Sequence, residues 1–128
     1  MRVATAEPSS PPLAATQVLD LRTLTVRSRR GGDVHVLALS GELDLSGAPV
    51  VEEELRSVAA DAIIIDLRGL TFIDSTGLRL LVETSRRTEA CGQHLLLLPP
   101  VDRVFRVFEI SGLDRLLPFE AAPLELDA

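Results

Sequence analysis

The sequence predicts a single α/β domain in which helices flank a central mixed, mostly parallel β-sheet. The first observation is size: 128 residues, 46% of them apolar, suffice for one hydrophobic core and leave little for a second. The second is order, because short β-branched or leucine-rich runs alternate with longer segments of helical periodicity. We expect the domain at residues 21–122, between a flexible Pro- and Ser-rich tail at 1–20 and a short tail at 123–128.

The domain is predicted to begin with a β-hairpin that leads into a helix. Residues 24–26 are a short β-rich run, and the turn cluster at 29–33 precedes a predicted strand at 34–40. A helix opens at 46–49, since a small polar residue before a proline is typical of a first helical turn. Its inner face consists of Val51, Leu55 and Val58.

The middle of the chain is predicted to form a buried strand and a second helix. The apolar, β-branched run at 62–67 is too short and too apolar for a surface helix. In the helix that follows residue 77, Glu83 is placed to pair with Arg87, and Gly92 is a natural cap. We expect the inner face of this helix to be Leu78, Leu81, Val82 and Ser85.

The last third repeats the alternation of strand and helix. A leucine-rich strand at 93–98 is halted by two prolines, and a helix ends at Gly112. Residues 116–119 could form a last short strand. The inner face of the helix is predicted to be Val101, Val104, Phe105 and Phe108.

The composition argues against several functions. The net charge is −6, and the chain has neither Trp nor Tyr, so we expect no nucleic acid partner. Its basic residues are all Arg, which leaves no lysine for a Schiff base or a phosphate-binding loop. The single Cys91 cannot form an internal disulfide, and two scattered histidines give no metal-ligand spacing. We therefore expect no cofactor and no metal.

The sequence shows no segment for export or for membrane insertion. No long apolar run follows a basic start near the N-terminus, and no stretch is long enough to span a bilayer. Together with the lack of a disulfide framework, this predicts a cytoplasmic protein without a membrane partner.

The most informative segment precedes the second helix. Asp74 and Ser75 are good helix-capping residues, and Gly77 permits another chain to approach the backbone closely. The first-turn amides and the helix dipole favour negative charge there, so a phosphoryl group on Ser75 would find hydrogen-bond donors. Taken alone, this local pattern favours a helix cap without regulation.

A catalytic role for Ser75 lacks the residues that it would need. A nucleophile elbow requires a glycine two residues before the serine, where this chain has Ile73. The only candidate bases, His35 and His94, lie in apolar strand segments. The carboxylates of Glu42 and Asp44 would share a face of an extended chain, which is weak evidence for acid–base chemistry.

Three motifs in order resemble the bacterial anti-sigma factor antagonists of the STAS domain family. They are Gly-Glu-Leu-Asp at 41–44, Phe-Ile-Asp-Ser-Thr-Gly-Leu at 72–78, and the helix at 104–113 with its closing Ser-Gly-Leu. The resemblance covers about residues 21–120 and implies the STAS fold, a mixed sheet flanked by helices.

The resemblance also implies a function without catalysis. Such proteins bind an anti-sigma factor that is also a serine kinase and displace the sigma factor that it holds. The kinase phosphorylates the serine that matches Ser75, and a metal-dependent serine/threonine phosphatase reverses the step. By the same matching, Asp44 lies near the phosphorylation site, and Asp74, Thr76 and Gly77 complete the partner-binding surface.

Two alternatives remain open at this point. One keeps the fold but makes the protein a STAS scaffold or a small-ligand-sensing module in a larger signalling complex. The other is a small hydrolase that uses Ser75.

Overall fold

The computed structural model describes residues 15–120, which form a five-stranded sheet with four helices. The predicted mixed sheet flanked by helices is confirmed. Strands follow one another across the sheet in chain order; the first two pairings are antiparallel and the last two are parallel. The elements are β1 (Ala15–Asp20), β2 (Leu24–Gly31), β3 (Val34–Leu43), α1 (Ala48–Arg56), β4 (Ala62–Ile73), α2 (Ser75–Ala90), β5 (His94–Leu98), α3 (Asp102–Ser111) and α4 (Leu113–Leu116).

Strand β1 was missing from the sequence prediction, which placed residues 15–20 in the flexible tail. These residues pair antiparallel with β2, from Ala15 opposite Arg30 to Asp20 opposite Thr25. An edge strand has few buried side chains, and here Thr16, Gln17 and Val18 are exposed, so the sequence carries little hydrophobic alternation. Residues 1–14 and 121–128, which include the rest of the predicted N-terminal tail and all of the C-terminal one, lie outside the described part of the chain.

The β2–β3 hairpin forms as predicted. Gly31 pairs with Val34, and Gly32 in the turn between them has a φ of 59°, which glycine adopts at little cost. Leu24, Val26 and Ser28 alternate along the buried face of β2.

Strand β4 is longer than the sequence predicted. The prediction ended it at residue 67, whereas the strand continues to Ile73 over 12 residues. It can do so because β3 runs parallel beside it to Leu43, with register shifts after Ala38 and after Gly41. The two strands therefore end together.

Helix α2 is rotated relative to its predicted inner face. Leu81 is buried as expected, but Leu78, Val82 and Ser85 are only half-buried. The hydroxyls of Thr84 and Thr88 donate to carbonyls of their own helix, at 2.8 and 3.0 Å, so these threonines pack inward with their polar atoms satisfied. The helix buries Gly77, Leu80, Leu81, Thr84 and Thr88.

The predicted ion pair between Glu83 and Arg87 does not form. Within residues 15–120 the ion pairs are Arg56–Glu52 and Arg68–Asp66.

The C-terminal part differs from the prediction at its end. Helix α3 and its stop at Gly112, which has a φ of 78°, are as expected, although Val101 is 49% exposed and lies just before the helix. Residues 113–116 form α4 and not a strand, and a single parallel bridge joins Phe119 to Leu97 of β5.

No helix within the described residues combines the length and apolarity that crossing a membrane requires.

Candidate functional site

The parallel strands β3 and β4 end side by side and place two aspartates together. Leu43 pairs with Ile73, and the Asp74 amide donates to the Leu43 carbonyl at 3.2 Å. Neighbouring strands lie about 4.8 Å apart. Asp44 and Asp74, the next residue of each strand, therefore leave the sheet as neighbours.

Asp74 caps α2 as predicted. Its Oδ1 accepts a hydrogen bond from the Gly77 amide at 3.0 Å, and its carbonyl accepts from the Leu78 amide at 3.0 Å. Its extended backbone, with a φ of −111°, is that of a typical N-cap residue. The cap fixes the first turn of the helix to the end of β4.

Ser75 is the first residue of α2, and its side chain is exposed. It stands where the unpaired amides and the dipole of the helix create positive potential. Thr76, the next residue, is half-buried. Ser75 is thus exposed to solvent at a helix N-terminus, directly after the capping residue Asp74.

Gly77 lies close to the end of another strand of its own chain. A Cβ built on Gly77 would lie 2.7 Å from Cγ1 of Ile73 and 2.8 Å from the carbonyl oxygen of Leu43. Gly77 is buried. Its part in the site is to let the first turn of α2, which contains Ser75, pack against the ends of β3 and β4.

Asp44 is fixed by the turn that leads into α1. Its Oδ1 accepts from the Ser46 hydroxyl at 2.8 Å, from the Ser46 amide at 3.0 Å and from the Gly47 amide at 3.3 Å. These donors, first the Ser46 hydroxyl, lower the pKa of Asp44 below its usual range. The carboxylate is therefore ionised at neutral pH.

Two exposed apolar side chains that were not among the predicted site residues flank these groups. Leu45 is 70% exposed in the turn after Asp44, and Phe72 is 47% exposed near the end of β4. Phe72 pairs with Glu42, which is also exposed. The sequence signal that could have revealed this surface is Leu45, a leucine inside an otherwise polar turn. An apolar residue at such a position is not explained by burial in the core.

Both histidines lie far from Ser75. His94 pairs with Ala62 at the start of β4, and His35 pairs with the next residue, Ile63. Ser75 follows the other end of β4, roughly 35 Å away at about 3.3 Å per residue. Neither ring can act as a base on the Ser75 hydroxyl.

No group of three or more His, Cys, Asp or Glu residues that could hold a metal ion occurs within residues 15–120. At the described site the carboxylates of Asp44 and Asp74 are engaged by main-chain amides.

Comparison with known proteins identifies relatives of the same kind. A family model described as "Mlab, STAS domain" matches residues 26–118. The anti-sigma-B factor antagonist of Staphylococcus aureus is 32% identical over 97 residues, which cover 73% of this chain and 90% of that protein. The anti-sigma-F factor antagonist RsfB of Mycobacterium tuberculosis is 41% identical over 71 residues, which cover 53% of this chain and 57% of that protein.

Solved structures agree in fold. The anti-sigma factor antagonist SpoIIAA in its unphosphorylated form matches with a TM-score of 0.63 and 26% identity, covering 88% of this chain and 92% of that one. The Bacillus SpoIIAA in its phosphorylated form matches with a TM-score of 0.60 and 26% identity, covering 88% of this chain and 96% of that one.

Proposed function

The chain belongs to the STAS domain family of anti-sigma factor antagonists, and from this premise we propose that it binds an anti-sigma factor that is also a serine kinase. In this proposal the unphosphorylated protein binds the anti-sigma factor and frees the sigma factor. Phosphorylation of Ser75 ends the binding, and a serine/threonine phosphatase restores it. The protein is a ligand and a substrate, and it performs no catalysis.

The observation that carries the proposal is the exposure of Ser75 at the start of α2, next to the Asp44 loop. A kinase must reach the serine hydroxyl, and a binding partner must touch the same place if phosphorylation is to control binding. An exposed residue on a rigid, capped helix turn meets both requirements.

The contact surface that we propose combines charged and apolar groups. Asp44, Asp74, Ser75 and Thr76 supply the polar part, and Leu45 and Phe72 supply apolar area that is exposed in the free chain. Buried apolar anchors surrounded by a polar rim are typical of specific interfaces. Gly77 contributes indirectly, because it is buried and sets the position of α2.

Charge gives the switch its direction. A phosphoryl group adds about −1.5 to −2 charges at neutral pH. On Ser75 this charge would lie near the carboxylates of Asp44 and Asp74, within the surface that the partner contacts when Ser75 is unphosphorylated. Desolvating the added charge at an interface is costly, and every ~1.4 kcal/mol of lost binding energy lowers affinity tenfold.

The proposal is tested with purified serine-kinase anti-sigma factors encoded in the same genome. Each is incubated with the protein and ATP; the modified residue is identified by mass spectrometry, and binding is measured by calorimetry. We expect one of them to bind the unmodified chain and to phosphorylate Ser75. If none binds it and none modifies Ser75, the proposal is wrong.

Two substitutions of Ser75 distinguish the effect of added charge on binding from the effect of losing the hydroxyl. Ser75→Ala should keep the affinity of the unmodified protein, whereas Ser75→Asp should weaken it at least about tenfold. Thr16→Asp is the matched control, because it adds the same charge at an exposed position of β1. Equal affinities of the Ser75 variants would refute the charge mechanism.

A second candidate is a STAS module that senses a small ligand or serves as a scaffold. It is favoured by a polar cleft at the end of the sheet opposite to Ser75. Light scattering would reveal a large assembly, and mass spectrometry under native conditions would reveal a ligand retained on purification.

A further inference from the structure

A polar cleft opens between the C-terminal end of α1 and the β1–β2–β3 part of the sheet. Its volume is about 310 Å³, which is within the range of small-molecule sites. It lies near the start of β3, whereas the Asp44 loop follows the end of that strand. The cleft is lined by Gln17, Ser28, Arg30, His35, Glu54 and Ser57.

The sheet register brings the polar lining together. Gln17 pairs with Ser28, and Arg30 pairs with His35, so adjacent strands supply adjacent side chains. Ser28 continues the inward-facing row of Leu24 and Val26, which makes it a polar residue on a core-facing position. The apolar core thus gives way to polar groups at this end of the sheet.

His35 has one ring nitrogen that the described part of the chain does not satisfy. The residue is 7% exposed, and its Nε2 lies 2.5 Å from the hydroxyl of Ser28, which is also 7% exposed. Its Nδ1 is buried and has no hydrogen-bond partner. Buried polar atoms in folded proteins are nearly always paired, so this nitrogen points to a partner from outside the chain.

The charges around the cleft select the kind of partner. Burial lowers the pKa of His35, the Arg30 guanidinium lowers it further, and the Glu54 carboxylate opposes both, so the ring is neutral at pH 7. Arg30 and Glu54 then offer one positive and one negative group. A simple anion would be repelled by the Glu54 carboxylate, and a simple cation would be repelled by the Arg30 guanidinium. A zwitterion can pair with both groups.

We propose that this cleft binds a free amino acid, with its carboxylate on Arg30, its ammonium group on Glu54 and a hydrogen bond to Nδ1 of His35. The imidazole accepts from the ammonium group or donates to the carboxylate, according to its tautomer. The proposal is independent of the partner that recognises Ser75.

The test uses the full chain and the standard amino acids, each added alone at millimolar concentration. Binding is followed by calorimetry and by the ¹⁵N resonances of the His35 ring. We expect at least one amino acid to bind and to shift Nδ1, while acetate alone and methylammonium alone do not. No binding by any amino acid, or equal binding by acetate, would overturn the proposal.

Substitutions in the cleft, each compared with the same substitution at a neighbouring residue, test the proposed contacts with the amino acid that binds. Arg30→Gln and Glu54→Gln should each weaken its binding by about tenfold or more. Arg29→Gln, one residue along β2, and Glu53→Gln, one residue along α1, should change it less than about twofold. Equal losses in the control variants would mean that the ligand sits elsewhere.

Discussion

Gly77 determines how closely the first turn of α2 approaches the end of β3. Its hydrogen atom faces Cγ1 of Ile73 and the carbonyl oxygen of Leu43, at positions where a Cβ would come within 2.7 and 2.8 Å. The oxygen belongs to the main chain of a paired strand and cannot rotate away. The glycine therefore holds the serine turn and the Asp44 loop together.

Replacing this glycine by alanine should destabilise the protein. Alanine favours a helix over glycine by about 1 kcal/mol, but overpacking against fixed atoms costs about 1–3 kcal/mol. The steric cost exceeds the gain because Gly77 lies in the first turn, where helix propensity counts least. We expect Gly77→Ala to lower the free energy of unfolding by about 1–2 kcal/mol in urea titrations.

Ser75→Ala is the control for that measurement, since it is exposed and two residues away. It should change the free energy of unfolding by less than about 0.5 kcal/mol. An unchanged or more stable Gly77→Ala variant would show that the turn can move away from β3.

At the scale of elements, three phenylalanines join α3 to the segment after α4. The ring of Phe119 meets Phe105 and Phe108 edge to face, with centroids 5.1 and 5.0 Å apart. Main-chain bonds hold the same segment to β5, from Leu97 to Pro118 and from Glu120 to Leu97, each 2.9 Å. The last described residues are thus attached to the sheet by packing and by hydrogen bonds.

Phe119→Leu should weaken this attachment while keeping an apolar side chain. Each edge-to-face pair contributes about 0.5–1.5 kcal/mol beyond the area that it buries, so the loss of both should lower the free energy of unfolding by about 1–3 kcal/mol. Thermal and urea unfolding measure the change. Leu116→Ala, at a position that is 64% exposed, is the control. A loss no larger than that of the control would mean that the cluster adds little.

Elements with a strong periodic pattern were predictable from the sequence, and elements defined by distant contacts were not. The buried run of β4 and the glycine turn of the hairpin carry their own local pattern. Strand β1 forms because it can pair with the edge of β2. The inner face of α2 includes Thr84 and Thr88, whose hydroxyls donate hydrogen bonds to carbonyls of the same helix. Neither fact is encoded in local hydrophobicity.

The same distinction holds for the site. The cap of Asp74 and the exposure of Ser75 follow from local residue preferences, so the sequence indicated both. That Asp44 and Asp74 are neighbours depends on the register shifts that let β3 and β4 end together. The buried contact of Gly77 with Leu43 is equally non-local.

At the scale of the whole molecule, α1 connects two regions of different chemistry. It begins after the Asp44 turn and ends at Arg56, and its C-cap residue Ser57 lines the polar cleft. The first region contains the carboxylates of Asp44 and Asp74 and the exposed Ser75. The second contains a buried neutral histidine, and that histidine makes global stability depend on pH.

We expect the free energy of unfolding to fall as pH decreases below the ordinary histidine value of about 6.5. Burial first, and then Arg30 on β2, lower the pKa of His35, while Glu54 on α1 partly offsets them. Between the lowered pKa and 6.5 the unfolded chain binds a proton that the folded chain does not. Stability is therefore retained above that window and lost as pH falls through it.

Urea unfolding at pH values from 7.5 down to about 5 measures this dependence. His35→Gln should flatten the curve, and His94→Gln, at an exposed position at the start of β5, is the control for the loss of a histidine. An NMR titration of the His35 ring in the unaltered chain gives an independent check, with a midpoint below 6.5. Asp44 acts separately, because its lowered pKa confines its effect to pH values near and below about 4. A midpoint for His35 at or above 6.5 would contradict the account of its burial, since a ring shielded from water resists protonation.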